Sequence, residues 1–222
     1  MNIANDLLPL PWLIAAYVVF GAGLLWAILH ADLVGFIRVP RRQHLFFGAS
    51  LIIMCLWLLR AGITPGLGVH LLGMTSLTLL LGWQLAIIGS VIALIGVAFL
   101  GYEEWITLGL IGMLLVMVPV MVTHGIWRFS NRYLPPNLFI YILGCGFFGA
   151  GLATLLARFA VSGVLLASSA MDWYTLRTEY LPIALLTQFP ESFINGTIIA
   201  AIAAYRPEWL ATLDAKRYLD EK

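Results

Sequence analysis

The sequence predicts an all-α, polytopic membrane protein, a bundle of about seven transmembrane helices with its N-terminus outside and its C-terminus in the cytoplasm. Three observations carry that prediction. Hydrophobic residues make up 62% of the 222 positions and charged residues only 10%, against roughly 25% charged in soluble domains. Mean hydropathy is correspondingly high, at +0.97. The 12 basic residues fall mainly in short polar stretches between apolar runs long enough to cross a bilayer, a crossing needing ~20 residues. Such a chain has room for a single integral membrane domain over residues 1–222 and for no soluble catalytic module.

The elements follow from apolar windows between polar punctuation. The first helix covers 10–30, and a basic stretch with Arg38, Arg41 and Arg42 separates it from a second at 45–62. Residues 69–101 form one apolar run of about 33 residues, too long for one crossing. Gly82-Trp83-Gln84 near its middle marks a turn, giving a short third helix at 69–82 and a fourth at 84–101. Further helices are expected at 105–128, 136–163 and 180–205.

Basic residues concentrate in cytoplasmic loops, which tests this count. Seven helices with the N-terminus outside place Arg38, Arg41, Arg42, Arg128, Arg132, Arg206, Lys216, Arg217 and Lys222 inside, and Arg60, Arg158 and Arg177 outside. Fusing the third and fourth helices would move Arg128 and Arg132 to the opposite side from Arg38, Arg41 and Arg42. The seven-helix reading is therefore preferred. It puts Asp6, Glu103, Glu104, Asp172 and Glu179 on the outer face, where an acidic mouth would concentrate cations, although solvated loop residues would look the same.

Cys55 and Cys145 lie inside apolar runs and read as small buried hydrophobes rather than ligands or a disulfide. No cleavable signal is expected, because Met1 to Asp6 carry an acid instead of a basic start. Gly21 and Gly23 in the first helix, and Gly144, Gly146, Gly149 and Gly151 in the sixth, offer small faces for close helix packing. The second set marks either the bundle's centre or a docking face for another membrane subunit.

Four histidines sit at different depths. His30 and His44 flank the basic stretch at headgroup level, and His124 lies one turn before Arg128 near the inner end of the fifth helix. His70 alone is extracytoplasmic, at the start of the short third helix behind Pro65-Gly66-Leu67-Gly68. Glycine there lets backbone approach a ligand closely, and irregular backbone at membrane depth is tolerated only when buried in protein or lining a cavity. Met74, four residues on, is expected on the same helical face as His70. Met113, Met117 and Met121 form a stripe completed by His124; thioethers suit soft ions and imidazole suits nickel, cobalt, copper and zinc, while packing alone would also explain it. Glu191 is the single carboxylate inside a predicted span. It either serves a cation or proton pathway, or begins the second half of a helix broken at Pro190, where the helix dipole favours an acid.

Three blocks resemble the CbiM/NikM group, the membrane substrate-capture subunits of energy-coupling-factor (ECF) transporters for cobalt and nickel, a branch of the ABC transporters. The start, Met1-Asn2-Ile3-Ala4-Asn5-Asp6-Leu7-Leu8-Pro9, is similar to the family's Met-His-Ile-Met-Glu-Gly-Phe-Leu-Pro opening. Gly68-Val69-His70-Leu71-Leu72-Gly73 resembles its Ser-Gly-His-Leu-Leu-Gly motif, and Glu191 through Arg206-Pro207 resembles its last helix. The resemblance implies a seven-helix fold whose extracellular N-terminus plugs into the bundle. The Met1 amine, the backbone amide and side chain at position 2, and His70 would then bind nickel or cobalt as the transported substrate, with no organic cofactor. It also implies a separate coupling membrane subunit, cytosolic ATPases, and residence in the bacterial inner membrane. The chain departs from the family at position 2, where Asn2 replaces histidine. Asp6 or Met74 would complete the site, or the ion would be another metal such as copper or zinc, or the fold would serve another solute.

A stand-alone membrane scaffold, or an assembly factor for a metalloenzyme, is the competing reading. An enzyme is not expected, because the sequence lacks a nucleophile elbow, a His-Glu-x-x-His, a phosphate loop and a Cys-x-x-Cys. The net charge of +1 gives no sign of a nucleic-acid partner.

Overall fold

A computed structural model describes residues 8–64, 67–214 and 218. Helix α1 runs Leu10–His30, the predicted bounds, with a proline in its first turn, where a fixed φ favours the helix and the missing N–H is no loss. A short α2, Leu33–Arg38, follows, and the Asp32 side chain caps it by accepting from the Gly35 amide. Helix α3 spans Pro40–Leu58. It starts earlier than the sequence suggests, because Pro40 opens the helix and draws Arg41, Arg42 and His44 into it.

The predicted third helix is the main correction. Ahead of it β1, Ala61–Thr64, and β2, Leu67–Val69, pair antiparallel, Ala61 with Val69 and Gly62 with Gly68, so that Val69, expected to open the helix, is a strand residue and 70–73 are irregular. Helix α4 is only Met74–Leu81, bounded by Gly73 at φ 67° and Gly82 at φ 83°. Both are left-handed positions that glycine adopts without steric cost, and Gly82 is the turn read from the sequence. At 1.5 Å per residue α4 is ~12 Å long, far short of the ~30 Å hydrocarbon core. Seven of its eight residues are buried, so it forms an interior axis around which the other helices pack.

Helix α5 covers Trp83–Phe99. The next two are continuous helical stretches, α6 over Trp105–Tyr133 and α7 over Leu138–Ala167. Each contains a π-helical segment, Gly112–Met117 in α6 and Tyr141–Phe148 in α7. Two helical turns, Trp173–Thr175 and Leu176–Tyr180, lead into α8, Leu181–Tyr205. Pro190 does not break α8, which runs through it. On length and composition α1, α6 and α7 are each apolar enough to cross a membrane. The protein is thus an all-α membrane protein with a short antiparallel strand pair.

Small residues set the packing. Tyr17 and Phe20 of α1 lie over Gly109 and Gly112 of α6, and Met117 fills the space at Gly23. Between α7 and α8, Gly146 meets Ile199, Gly151 meets Ser192 and Gln188, and Gly196 meets Phe147. Much of the glycine run of the sixth helix therefore serves the bundle's own interior. Beyond α8 the chain folds back: Ala211 N donates to Leu80 O at 3.1 Å, and the Thr212 hydroxyl donates to Leu79 O at 2.8 Å. Carbonyls at the C-terminal end of α4, which lack partners within the helix, are met by this strap. Cys55 is exposed, contrary to the buried position expected of it, and Cys145 is buried; both are free.

Candidate functional site

The centre of interest is the irregular stretch His70–Gly73, by which the chain enters the bundle. His70 does not belong to a helix, so it and Met74 share no helical face; Met74 is the first residue of α4 and is wholly buried. Unpaired backbone at such a place would be costly, and the structure supplies partners for all four carbonyls and for the Leu72 and Gly73 amides. His70 O accepts from Arg158 Nη2 at 2.9 Å. Leu71 O receives His70 Nδ1 at 2.9 Å, and Leu72 O receives the Trp57 indole N–H at 3.0 Å. Gly73 O takes the Leu77 amide at 3.1 Å.

The amides of Leu72 and Gly73 donate to the two Glu191 oxygens at 2.7 and 2.6 Å. Asn195, one turn further along α8, accepts from both the Ser76 amide (2.8 Å) and the Ser76 hydroxyl (2.7 Å). It also donates to Glu191 Oε1 at 2.9 Å, fixing the carboxylate. Glu191 and Asn195 together thus cap the N-terminus of α4 from a neighbouring helix, a placement that the dipole of α4 reinforces. The helix start proposed for Glu191 is not its own but that of α4. Thr75 and Thr123 share a hydrogen bond at 2.9 Å, tying α4 to α6.

His70 is 5% exposed and lies beside the Trp57 indole, ring centroids 5.5 Å apart. Because a carbonyl can only accept, the contact with Leu71 O makes Nδ1 the protonated nitrogen, and Nε2 carries the lone pair of the neutral ring. A histidine oriented in this way by a backbone carbonyl is the usual arrangement of a metal-ligating imidazole.

Arg158 lies within α7, as its place in the window 136–163 requires, 1% exposed, with no hydrogen-bond partner at Nε and Nη1 among the described residues. Arg158, Trp57 and Asn195 were not singled out from the sequence as site residues. An arginine within the apolar window 136–163 was the available signal for the first; nothing in the sequence pairs the other two with the His70 segment.

Of the expected acidic mouth, Glu103 is 5% exposed and bonded to Arg60 at 2.7 Å. Burial pushes its carboxyl up against the opposing pull of that guanidinium. Asp172 is exposed, and its carboxylate accepts from the Thr175 hydroxyl and from the Thr175 and Tyr174 amides, which hold it below the usual carboxylate range. These two acids thus serve local structure. His124 packs between the indoles of Trp83 and Trp127, ring centroids 6.0 and 5.4 Å away. Met1, Asn2 and Asp6 lie outside the described residues. Among the described residues no three His, Cys, Asp or Glu side chains are grouped to hold an ion.

The fold is that of solved transporters. One, "Crystal Structure of an Truncated Transition metal Transporter", superposes with a TM-score of 0.74 at 17% identity, over 94% of this chain and 99% of that one. Another, "Crystal Structure of an transition metal transporter", gives 0.73 at 18% identity, over 94% and 93%. Among curated proteins no sequence matches. The sequence matches the CbiM family, the cobalt uptake substrate-specific transmembrane region, over residues 2–209, and the chain belongs to that family.

Proposed function

We propose that the chain is the substrate-capture subunit of an energy-coupling-factor transporter, binding a nickel or cobalt ion near the extracytoplasmic face for uptake across a bacterial inner membrane. The observation that carries this reading is His70: a buried imidazole on an irregular segment, its Nδ1 turned to Leu71 O and its Nε2 left as the ligand atom. The remaining ligands come from the N-terminal residues Met1, Asn2 and Asp6, with the Met1 amine and the position 2 amide completing a nitrogen-rich set that suits nickel or cobalt. Met74 sits next to Gly73 as a thioether in reserve. Outward placement of this site follows from the basic clusters at the other end of the bundle. The chain carries no phosphate loop, so the energy of transport is supplied by separate partners, a coupling membrane subunit and cytosolic ATPases, and the chain itself performs no catalytic step. The scaffold reading relied on the glycines of the sixth helix as a docking face, and the packing of Gly146 and Gly151 against α8 argues against it.

Elemental analysis of purified protein tests the proposal. The wild-type chain and a C-terminally tagged form should carry nickel or cobalt near one ion per chain, and His70→Ala and an N-terminally tagged form should not. Equal metal in all four would remove both His70 and the N-terminus from the site.

A further inference from the structure

Helices α3 and α8 do not close on each other. Between them, floored by α4, lies a cavity of about 890 Å³. Its walls are mainly aliphatic, with Ala49 and Ile52 from α3, Leu77 from α4 and Ile198 from α8; Glu191 and Asn195 also line it, their polar atoms taken up by one another and by the amides at the start of α4. Ile52 is 67% and Ile198 39% exposed, so the slot opens on the outer surface of the bundle, which faces lipid in a membrane. The aliphatic stretch offers a metal ion no substitute for its hydration, and left empty it would forfeit its dispersion contacts.

One end of the cavity is polar and basic. Arg41, His44, Arg206, Glu208 and Trp209 line it. Arg41 and Arg206 converge on the single Glu208 carboxylate at 3.9 and 3.8 Å, and Arg41 also donates to the Glu208 carbonyl. Two guanidiniums against one carboxylate leave one positive charge, and most of their donors have no partner among the described residues. Trp209, partly exposed beside them, has the amphipathic ring found at the membrane–water interface.

We propose that this groove is a binding site for one anionic phospholipid, its acyl chain in the aliphatic slot and its phosphate on Arg41 and Arg206. A basic pocket between transmembrane helices is a recognised form of headgroup site. The charges match, a phosphodiester supplying the one negative charge that the arginine pair lacks. The headgroup end is separate from the metal reading, using neither His70 nor the N-terminus, although Leu71, Gly73 and Glu191 line the same cavity.

Native mass spectrometry of the full chain, released from micelles containing equal dioleoyl phosphatidylglycerol and dioleoyl phosphatidylcholine, is the test. One phosphatidylglycerol should be retained per chain in at least tenfold preference to phosphatidylcholine. Arg41→Gln with Arg206→Gln should abolish the preference, whereas Arg38→Gln, on α2 and outside the groove, should keep it. Ala49→Phe, which fills the slot, should lose both lipids, and circular dichroism should show each variant folded. Inorganic phosphate at millimolar concentration should not displace the lipid. Equal retention of the two lipids, an unchanged preference in the double arginine variant, displacement by free phosphate, or a groove that takes no lipid because a partner's membrane helix fills it would each overturn the proposal.

Discussion

The Glu191 carboxylate meets the Gly73 amide at 2.6 Å, joining the middle of the last helix to the turn that launches α4, 118 residues earlier in the sequence. With the Leu72 amide on its other oxygen, Glu191 supplies the acceptors that a helix of eight residues cannot supply for its own first turn.

Removing that acceptor should be costly. Glu191→Ala strands two buried N–H groups at about 1–3 kcal/mol each. Glu191→Gln keeps one oxygen and should lose roughly half as much. Asn195→Ala should destabilise less than Glu191→Ala, because it frees one backbone amide, that of Ser76, and a hydroxyl that can rotate to another acceptor. Thermal unfolding in detergent measures the order, and a Glu191→Ala variant as stable as Asn195→Ala would show that the cap is not the source of stability.

Gly73→Ala should distort the His70 segment. Its φ of 67° costs a residue with a side chain about 1–2 kcal/mol, and a Cβ there would stand 2.6 Å from Ile53 Cδ1. A lowered unfolding temperature together with weakened nickel or cobalt binding is expected. Unchanged binding would mean that the His70 segment tolerates movement at its hinge.

Orientation is testable by cysteine labelling. Glu104, exposed in the loop after α5, should be reached from outside when replaced by cysteine, and Arg38 only after permeabilisation. Glu103, its neighbour, is buried and a poor reporter. The opposite labelling pattern would invert the molecule and place His70 toward the cytoplasm.

Asn2→His should tighten nickel or cobalt binding in calorimetric titration, since imidazole replaces a weak amide oxygen. His70→Ala in the same chain should cancel the gain, because ligands of one coordination sphere do not contribute independently. A titration unchanged by Asn2→His would show that position 2 contributes no side-chain ligand.

The Asp172 turn should respond to acid in one direction. Its carboxyl is held below the ordinary range by Thr175 and Tyr174, so the ionised form belongs to the folded turn. That contribution is present above the ordinary aspartate pKa and is lost as pH falls through the depressed one. Hydrogen exchange at the Tyr174 and Thr175 amides should therefore accelerate only in acid below the usual carboxylate range, and Asp172→Asn should flatten the dependence. Fraying already at neutral pH would remove the cap from the account.

The long helices were legible in the sequence because each answers to a local rule. An apolar run of membrane length must close its backbone hydrogen bonds within itself, which set α1 to the residue and α5, α6 and α7 within a few positions. Gly82 was likewise readable, as a turn inside an over-long run. His70 stood out because a polar side chain in such surroundings needs a reason. That the third helix is short was legible too, but the pairing of Ala61–Thr64 with Leu67–Val69 and the delayed start of α4 at Met74 were not, the latter because it depends on acceptors and donors brought from elsewhere in the chain. Leu72 and Gly73 can remain irregular only because Glu191 is there to receive their amides, Leu72 O because of Trp57, and His70 O because of Arg158. Sequence alone determined that the chain crosses a membrane and which histidine to watch. Tertiary structure alone decided how that histidine's segment is held, since the Trp57, Arg158 and Glu191 bonds to it span 15 to 119 residues of sequence and no local pattern records which of them will meet.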